Sequence, residues 1–262
     1  MSTSIIFFDV DGTIIDEDGI IPDSAIDAIQ NCRENGNLCI VNTGRPFSHI
    51  NENVIKIGFD GYICSCGQHV IVDGRTLYRN LPETDICRQM IELIKECNLT
   101  GYFESEEGFG YYLAEEDIEK ELRNNIETYS NRIDLPKLDI DSEGRRFDKF
   151  CVWAGADSDI ERFKNIAGRQ FTVTPREHHM FECNIRGFSK ETGLNAVIDY
   201  YNIPFENTFA IGDSTNDLSM FRRVKHSIAM GNAAEEVKNE AEFVTRSIDN
   251  DGLMYALEKL IQ

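Results

Sequence analysis

The stretch IIFFDVDGT, residues 5–13, runs four apolar side chains straight into two carboxylates and a glycine. A short continuous apolar run that ends on turn-forming residues is the pattern of a strand buried on both faces. Such strands build parallel sheets, which bind ligands outside their carboxyl ends. Asp9 and Asp11 stand at such an end. Taken alone, the same letters also describe a strand entering an ordinary turn, so the rest of the chain has to decide.

Apolar runs recur at 38–42, 62–64, 208–211, 226–230 and 243–245. Between them, 24–34, 218–223 and 233–241 carry apolar residues at helical spacing. Strand and helix in alternation predict an α/β fold, a Rossmann-like parallel sheet covered on both faces.

The middle third follows another rule. Ile86, Met90, Leu93, Ile94 and Cys97 repeat at spacings of three and four after Pro82, a helix pattern. Two strand-like pieces, 102–104 and 110–113, lead to a second helix with Ile118, Leu122, Ile126 and Tyr129. The run FDKFCVWAG reads as a strand, 158–167 as a helix stopped by Gly168, and 171–174 and 179–185 as two more strands. Helix–strand–strand at both ends predicts an α+β cap domain, residues 82–186, inserted into a core made of 1–81 and 187–262.

Composition narrows the partners. The chain has 262 residues, 41% hydrophobic, which is enough for a sizeable core. Its formal net charge of −20 repels nucleic acid and anionic membranes. An anionic substrate would therefore need cations concentrated in its site. The 8 cysteines include no Cys-x-x-Cys pair, and several sit in apolar strands, so reduced buried thiols are expected. No basic leader precedes an apolar stretch, and no run approaches the roughly 18 apolar residues of a membrane span. These features predict a cytoplasmic protein; oligomeric state is left open.

The chemistry needs several parts beyond Asp9 and Asp11. An aspartate at a strand end can serve as a nucleophile, and a second carboxyl beside it as acid and base. Carboxylates so close repel one another unless a divalent cation lies between them, and oxygen-only ligands suit Mg²⁺. FAIGDSTNDLSM supplies further ligands in Asp213, Asn216 and Asp217. CIVNTGR ends a strand on Thr43, Gly44 and Arg45, whose hydroxyl and backbone N–H groups can cradle an oxyanion. GFSKETGL places Lys190 just before a helix, a fixed positive charge for phosphate and nucleophile.

DVDGT, NTGR, SK and GDSTND, in that order, resemble the four motifs of the haloacid dehalogenase-like phosphatases. The large segment between the second and third motifs resembles the Cof-like branch, as do MGNA at 230–233 and DNDGL at 249–253. The resemblance spans the whole chain. It implies that Asp9 becomes an aspartyl phosphate and that Asp11 is the acid/base and lends a backbone carbonyl to Mg²⁺. It implies that Asp213 ligates the metal, while Asp217 orients the metal shell or Lys190. Thr43, Gly44, Lys190 and Asn216 would hold phosphate. Two departures stand out: the branch's usual Asn-Gly-Ala is Cys66-Gly67-Gln68 here, and Glu191 replaces a glycine after the lysine.

The expected activity is Mg²⁺-dependent hydrolysis of small phosphorylated metabolites, sugar phosphates first. A phosphohexose mutase using the same chemistry and a non-catalytic phosphometabolite-binding protein are the alternatives. Candidates for selecting the leaving group are Arg45, Arg176, His178, His179, Glu182 and Asn184. Arg176 to His179 also read as an exposed turn between two strands.

Overall fold

The computed structural model describes residues 3–114, 126 and 135–260. The chain divides into two compact units. One holds Met1–Gly44, Ile50–Arg79 and Ser189–Gln262; the other holds Arg45–His49 and Asn80–Phe188.

The first unit opens with β1 (Ile5–Phe8), whose four side chains are all buried. Burying each phenylalanine stabilises the fold by about 1.5–3 kcal/mol. Helix α1 (Asp23–Glu34) turns Ala25, Ala28, Ile29 and Cys32 inward. After β2 (Leu38–Asn42), α2 (Glu52–Ile57) is capped by the Asn51 side chain, which accepts the Asn53 N–H. Strand β3 (Gly61–Cys64) is followed by β4 (His69–Val72) and β5 (Arg75–Arg79), an antiparallel hairpin. Asp73 and Gly74 make its turn with φ of 49° and 70°, the left-handed pair that a two-residue hairpin favours.

The second unit contains α3 (Thr84–Glu96), β6 (Leu99–Ser105), β7 (Gly108–Tyr112) and β8 (Lys149–Ala154). It continues with α4 (Ile160–Ala167), β9 (Phe171–Pro175) and β10 (Met180–Ile185). The five strands form one antiparallel sheet in the order β7-β6-β8-β10-β9. One face packs Phe103, Phe150 and Phe171 against Met90, Ile94 and Phe163 of the helices. The rings of Phe150 and Phe171 meet edge-on at 5.1 Å, a favoured aromatic geometry. The second helix expected here lies outside the described residues, apart from Ile126, which is buried beside Tyr102 and Phe109. Arg45–His49 belongs to this unit because Glu106 grips it: its two carboxylate oxygens accept the Phe47 and Ser48 N–H groups, each at 2.9 Å. His49 Nε2 lies 2.9 Å from the Ser105 carbonyl.

The chain returns to the first unit with α5 (Lys190–Tyr201), β11 (Thr208–Gly212), α6 (Leu218–Phe221) and β12 (His226–Ala229). Helix α7 (Glu235–Glu240), β13 (Phe243–Val244) and α8 (Gly252–Leu260) complete it. Its eight-stranded sheet has the order β13-β12-β11-β1-β2-β3-β4-β5. The strands from β13 to β3 run parallel, as expected for an α/β core. The β4–β5 hairpin adds two antiparallel strands that the apolar pattern did not predict. Strand β1 lies between β11 and β2; the chain leaves β1 toward β2 and leaves β11 toward β12, in opposite directions across the sheet. That is a topological switch point, where parallel sheets place their ligands. All eight cysteines are buried thiols. Among the described residues, no helix is long and apolar enough to cross a membrane.

Candidate active site

Three neighbouring strands end at the same level. Phe8 pairs with Val41 on one side and Ile211 on the other. Asp9, Thr43 and Asp213 therefore leave the sheet along one edge. The Asp9 N–H still donates to the Ile211 carbonyl at 3.0 Å, which fixes the start of the loop. The loop then folds back tightly, with Ile14 and Ile15 N–H groups donating to the Val10 carbonyl. Gly12 has φ +77°, and a Cβ there would collide with the Asp213 carboxylate. Only glycine lets the two acidic loops approach this closely. Asn232 stitches the arrangement together, donating to the Gly12 carbonyl at 2.8 Å and accepting the Ile248 N–H at 3.0 Å.

Lys190 is the centre of the constellation. As the first residue of α5 it is buried, and its Nζ lies 2.6 Å from Asp9 Oδ1 and 2.6 Å from Asp217 Oδ1. Asn42 at the end of β2 donates to the Lys190 carbonyl at 3.0 Å. Asp217 is saturated: its second oxygen accepts the Asp213 and Ser214 N–H groups, both at 3.0 Å. Asp213 and Asp217 are four residues apart, the spacing of one helix face. Instead a short 3₁₀ turn, Thr215–Asp217, bends Asp217 back over the loop that carries Asp213.

Four carboxylates share this end of the sheet with one ammonium, and burial sharpens their repulsion. Burial and the Asp217 charge push Asp9 well above the usual carboxylate range, against the pull of Lys190. The same causes push Asp213 up to about 6. Burial alone would lower the Lys190 ammonium; the Asp217 and Asp9 carboxylates reverse this and hold it above its ordinary value. The site is thus short of positive charge.

A divalent cation fits that shortage. Carboxylate oxygens of Asp9, Asp213 and Asp217 lie within 4.8 Å of one another. The donor set is all oxygen, as Mg²⁺ prefers. Because Asp217 is already occupied by Lys190 and two amides, Asp9 and Asp213 are the better placed direct ligands. The Asp11 side chain stands outside this group and is exposed.

The other expected residues divide between the two units. Thr43 is buried at the end of β2, its N–H donating to the Ile63 carbonyl at 2.8 Å. Asn216 sits in the 3₁₀ turn and accepts from Ser214 Oγ at 2.7 Å. Arg45, Arg176, His178, His179, Glu182 and Asn184 all lie in the second unit. Arg176 and Glu182 are paired at 2.6 Å, and Glu182 also meets Lys149 at 2.9 Å. The Lys149 charge outweighs burial and, with Arg176, holds the Glu182 carboxyl well below its usual range. His178 and His179 form the turn before β10 with φ of 54° and 55°, and both are exposed. The Asn184 Oδ1 is buried without a hydrogen-bond partner among the described residues. Arg45 donates to the His49 carbonyl at 3.2 Å.

Sequence reasoning missed Asn42, Lys149 and Glu104. Asn42 stands one residue before the threonine and looks like the last strand position. Lys149 and Glu104, 3.5 Å apart, sit at alternating strand positions that ordinarily face solvent.

Known proteins resemble this chain over nearly its whole length. A family model described as haloacid dehalogenase-like hydrolase matches residues 6–257. The chain belongs to this family. YkrA of Bacillus subtilis (strain 168) is 29% identical over 99% of this chain and 98% of its own length. The 5-amino-6-(5-phospho-D-ribitylamino)uracil phosphatase YwtE of the same organism is 24% identical over 98% and 97%. Among solved structures, BT1666 from Bacteroides thetaiotaomicron, a phosphatase of the haloalkanoate (HAD) enzyme superfamily, superposes with a TM-score of 0.83. It is 25% identical and covers 98% of this chain and 95% of its own. The mixed α/β core with a second, antiparallel sheet is thus a haloacid dehalogenase-like fold.

Proposed function

We propose that this enzyme, a haloacid dehalogenase-like phosphatase, hydrolyses small phosphate monoesters through a covalent phosphoryl group on Asp9, with Mg²⁺ as cofactor. The observation that carries the reading is the buried Lys190 ammonium held at 2.6 Å by both Asp9 and Asp217. A lysine is desolvated this completely only where its charge is used or paired.

In this reading a carboxylate oxygen of Asp9 attacks phosphorus and the ester oxygen departs. The Asp11 carboxyl gives that oxygen its proton. The resulting Asp11 carboxylate then takes a proton from the water that attacks phosphorus, releasing inorganic phosphate and Asp9. The Thr43 hydroxyl, the Gly44 N–H and the Lys190 ammonium hold the phosphoryl oxygens, with Asn216 nearby. Asp9, Asp213 and the Asp11 carbonyl would hold Mg²⁺, and Asp217 would keep Lys190 and the Asp213 loop in place. When bound, the cation neutralises charge on the carboxylates and on the transferring group.

Sugar phosphates are the proposed substrate class, and the inserted unit is proposed to select the leaving group. Its row of Glu104, Lys149, Glu182 and Arg176 alternates acceptor and donor charges, a pattern suited to hydroxylated ligands. The net charge of −20 argues against nucleic-acid and membrane partners. Eight buried thiols fit a reducing cytoplasm.

Turnover of p-nitrophenyl phosphate with Mg²⁺ tests the reading. Asp9→Asn should be inactive with its fold intact; activity near wild type would refute the nucleophile. A panel of phosphorylated metabolites tests the substrate class: the highest kcat/KM should fall on sugar phosphates. Isomer formation from a sugar phosphate without phosphate release would point to a mutase instead.

A further inference from the structure

Ser65, Cys66 and Gly67 follow β3 in three successive left-handed conformations, with φ of 50°, 52° and 87°. A side chain with a Cβ is disfavoured there, and runs of such residues are rare. Strain of this kind persists where the surroundings enforce it, and it gathers at functional sites. The turn is also costly in polar terms. Ser65 Oγ and Gln68 Oε1 are buried without a hydrogen-bond partner among the described residues.

Its contacts reach two of the proposed phosphate-holding groups. The Cys66 N–H donates to the Thr43 carbonyl at 3.2 Å, while the Thr43 N–H is held by Ile63. On the other side, Gly67 touches the start of α5 so closely that a Cβ would collide with the Ser189 carbonyl, the residue before Lys190. The Tyr78 hydroxyl donates to the Gly67 carbonyl at 3.0 Å, and Gln68 Nε2 closes the turn on the Ser65 carbonyl at 2.7 Å.

We infer that the strained Ser65–Gln68 turn is a spacer that sets the separation of Thr43 from Lys190, and that Cys66 and Gly67 are positioning residues for phosphoryl transfer. The inference deepens the reading that Thr43 and Lys190 hold the phosphoryl group. The left-handed run through Ser65 and Cys66 is what turns the Cys66 N–H to the Thr43 carbonyl and carries the chain on to Gly67. The missing side chain at Gly67 is what lets the lysine helix seat against the same turn. The Cys66 thiol itself has no part in this; the backbone conformation does the positioning.

The test is a series at the turn. Cys66→Gly and Cys66→Asn accept left-handed backbone and should preserve turnover, whereas the β-branched Cys66→Val cannot adopt it easily. Misplacing a holding group by an ångström costs on the order of a hundredfold. Cys66→Val should therefore lower kcat per folded molecule by about that factor, with the Mg²⁺ dependence unchanged. A purely structural role would lower the melting temperature and leave kcat of the folded fraction alone, and that result would overturn the inference. Should Cys66→Val fail to fold, Tyr78→Phe removes a single hydroxyl from the anchor. Its kcat should fall severalfold, and a wild-type kcat would overturn the inference.

Crystal structures of the folded variants give a readout independent of activity. In the impaired variant the 2.6 Å contact between Lys190 Nζ and Asp9 should lengthen or the Thr43 carbonyl should lose its partner. Retention of both would contradict the inference. A wild-type protein that turns over no phosphate ester would refute the functional reading, while these structures would still decide the role of the turn.

Discussion

Lys190 Nζ and Asp217 Oδ1 lie 2.6 Å apart with side-chain exposures of 1% and 0%. Asp217 is thereby a structural hub as well as an acidic group of the site. It fixes the ammonium with one oxygen and the Asp213 loop with the other. Asp217→Asn would set an amide donor against the ammonium. Removing one partner of a buried ion pair costs about 3 kcal/mol or more. The variant should melt lower and lose at least about a hundredfold in kcat. Thermal melts and steady-state kinetics check this; wild-type values for both would exclude the hub role.

Acid residues pushed up in pKa make the metal-free protein sensitive to alkali. Asp9 and Asp213 sit above their ordinary values, so the folded state keeps protons that the unfolded chain has already released. Stability without a cation therefore falls as pH rises from about 4 through about 6, the value for Asp213. A bound cation offsets the repulsion that grows over that window. Melting curves with Mg²⁺ and with a chelator should differ more at about pH 8 than at about pH 5. An equal difference at both would contradict the assignment of these carboxylates to the cation.

Glu182 behaves in the opposite sense. Lys149 and Arg176 depress its pKa despite burial. Its contribution is present above the ordinary carboxyl value of about 4.3 and is lost as pH falls. Glu182→Gln should destabilise the second unit by about 3 kcal/mol near neutrality, with the difference from wild type shrinking in acid. Trp153, the single tryptophan, lies on β8 of that unit, so its fluorescence reports this unfolding. A difference independent of pH would show that the ion pairs are not responsible.

Much of this was legible because β1, β2 and β11 end abruptly on polar residues, and each ending carries one part of the site. The bounds expected for β1 and β2 match the structure. The β4–β5 hairpin was not read, although Asp73-Gly74 is a hairpin signal. Strand β5 is largely exposed and charged, so it lacks the apolar run used to find strands. Lys149 and Glu104 were missed for a related reason: charges that satisfy each other inside a sheet look, in sequence, like charges facing water. The turn at Ser65–Gln68 was visible only as a departure from a motif, because strain is a property of backbone angles and not of composition.

The grip of Glu106 on Phe47 and Ser48 assigns the residues just after Gly44 to the second unit. Glu106→Gln leaves one acceptor where two amides need them. Hydrogen exchange at Phe47 and Ser48 should accelerate by about thirtyfold, the equivalent of a lost charge-assisted bond. Unchanged exchange at both amides would contradict this role of Glu106.

The covalent step at Asp9 is tested most directly by trapping. An acyl phosphate is reduced by borohydride to an alcohol, which turns a phosphorylated aspartate into homoserine. Enzyme quenched in borohydride during turnover of a phosphate ester, then digested and weighed by mass spectrometry, should contain homoserine at position 9. The Asp9→Asn variant should contain none. Sustained turnover with Asp9 unmodified would contradict the account.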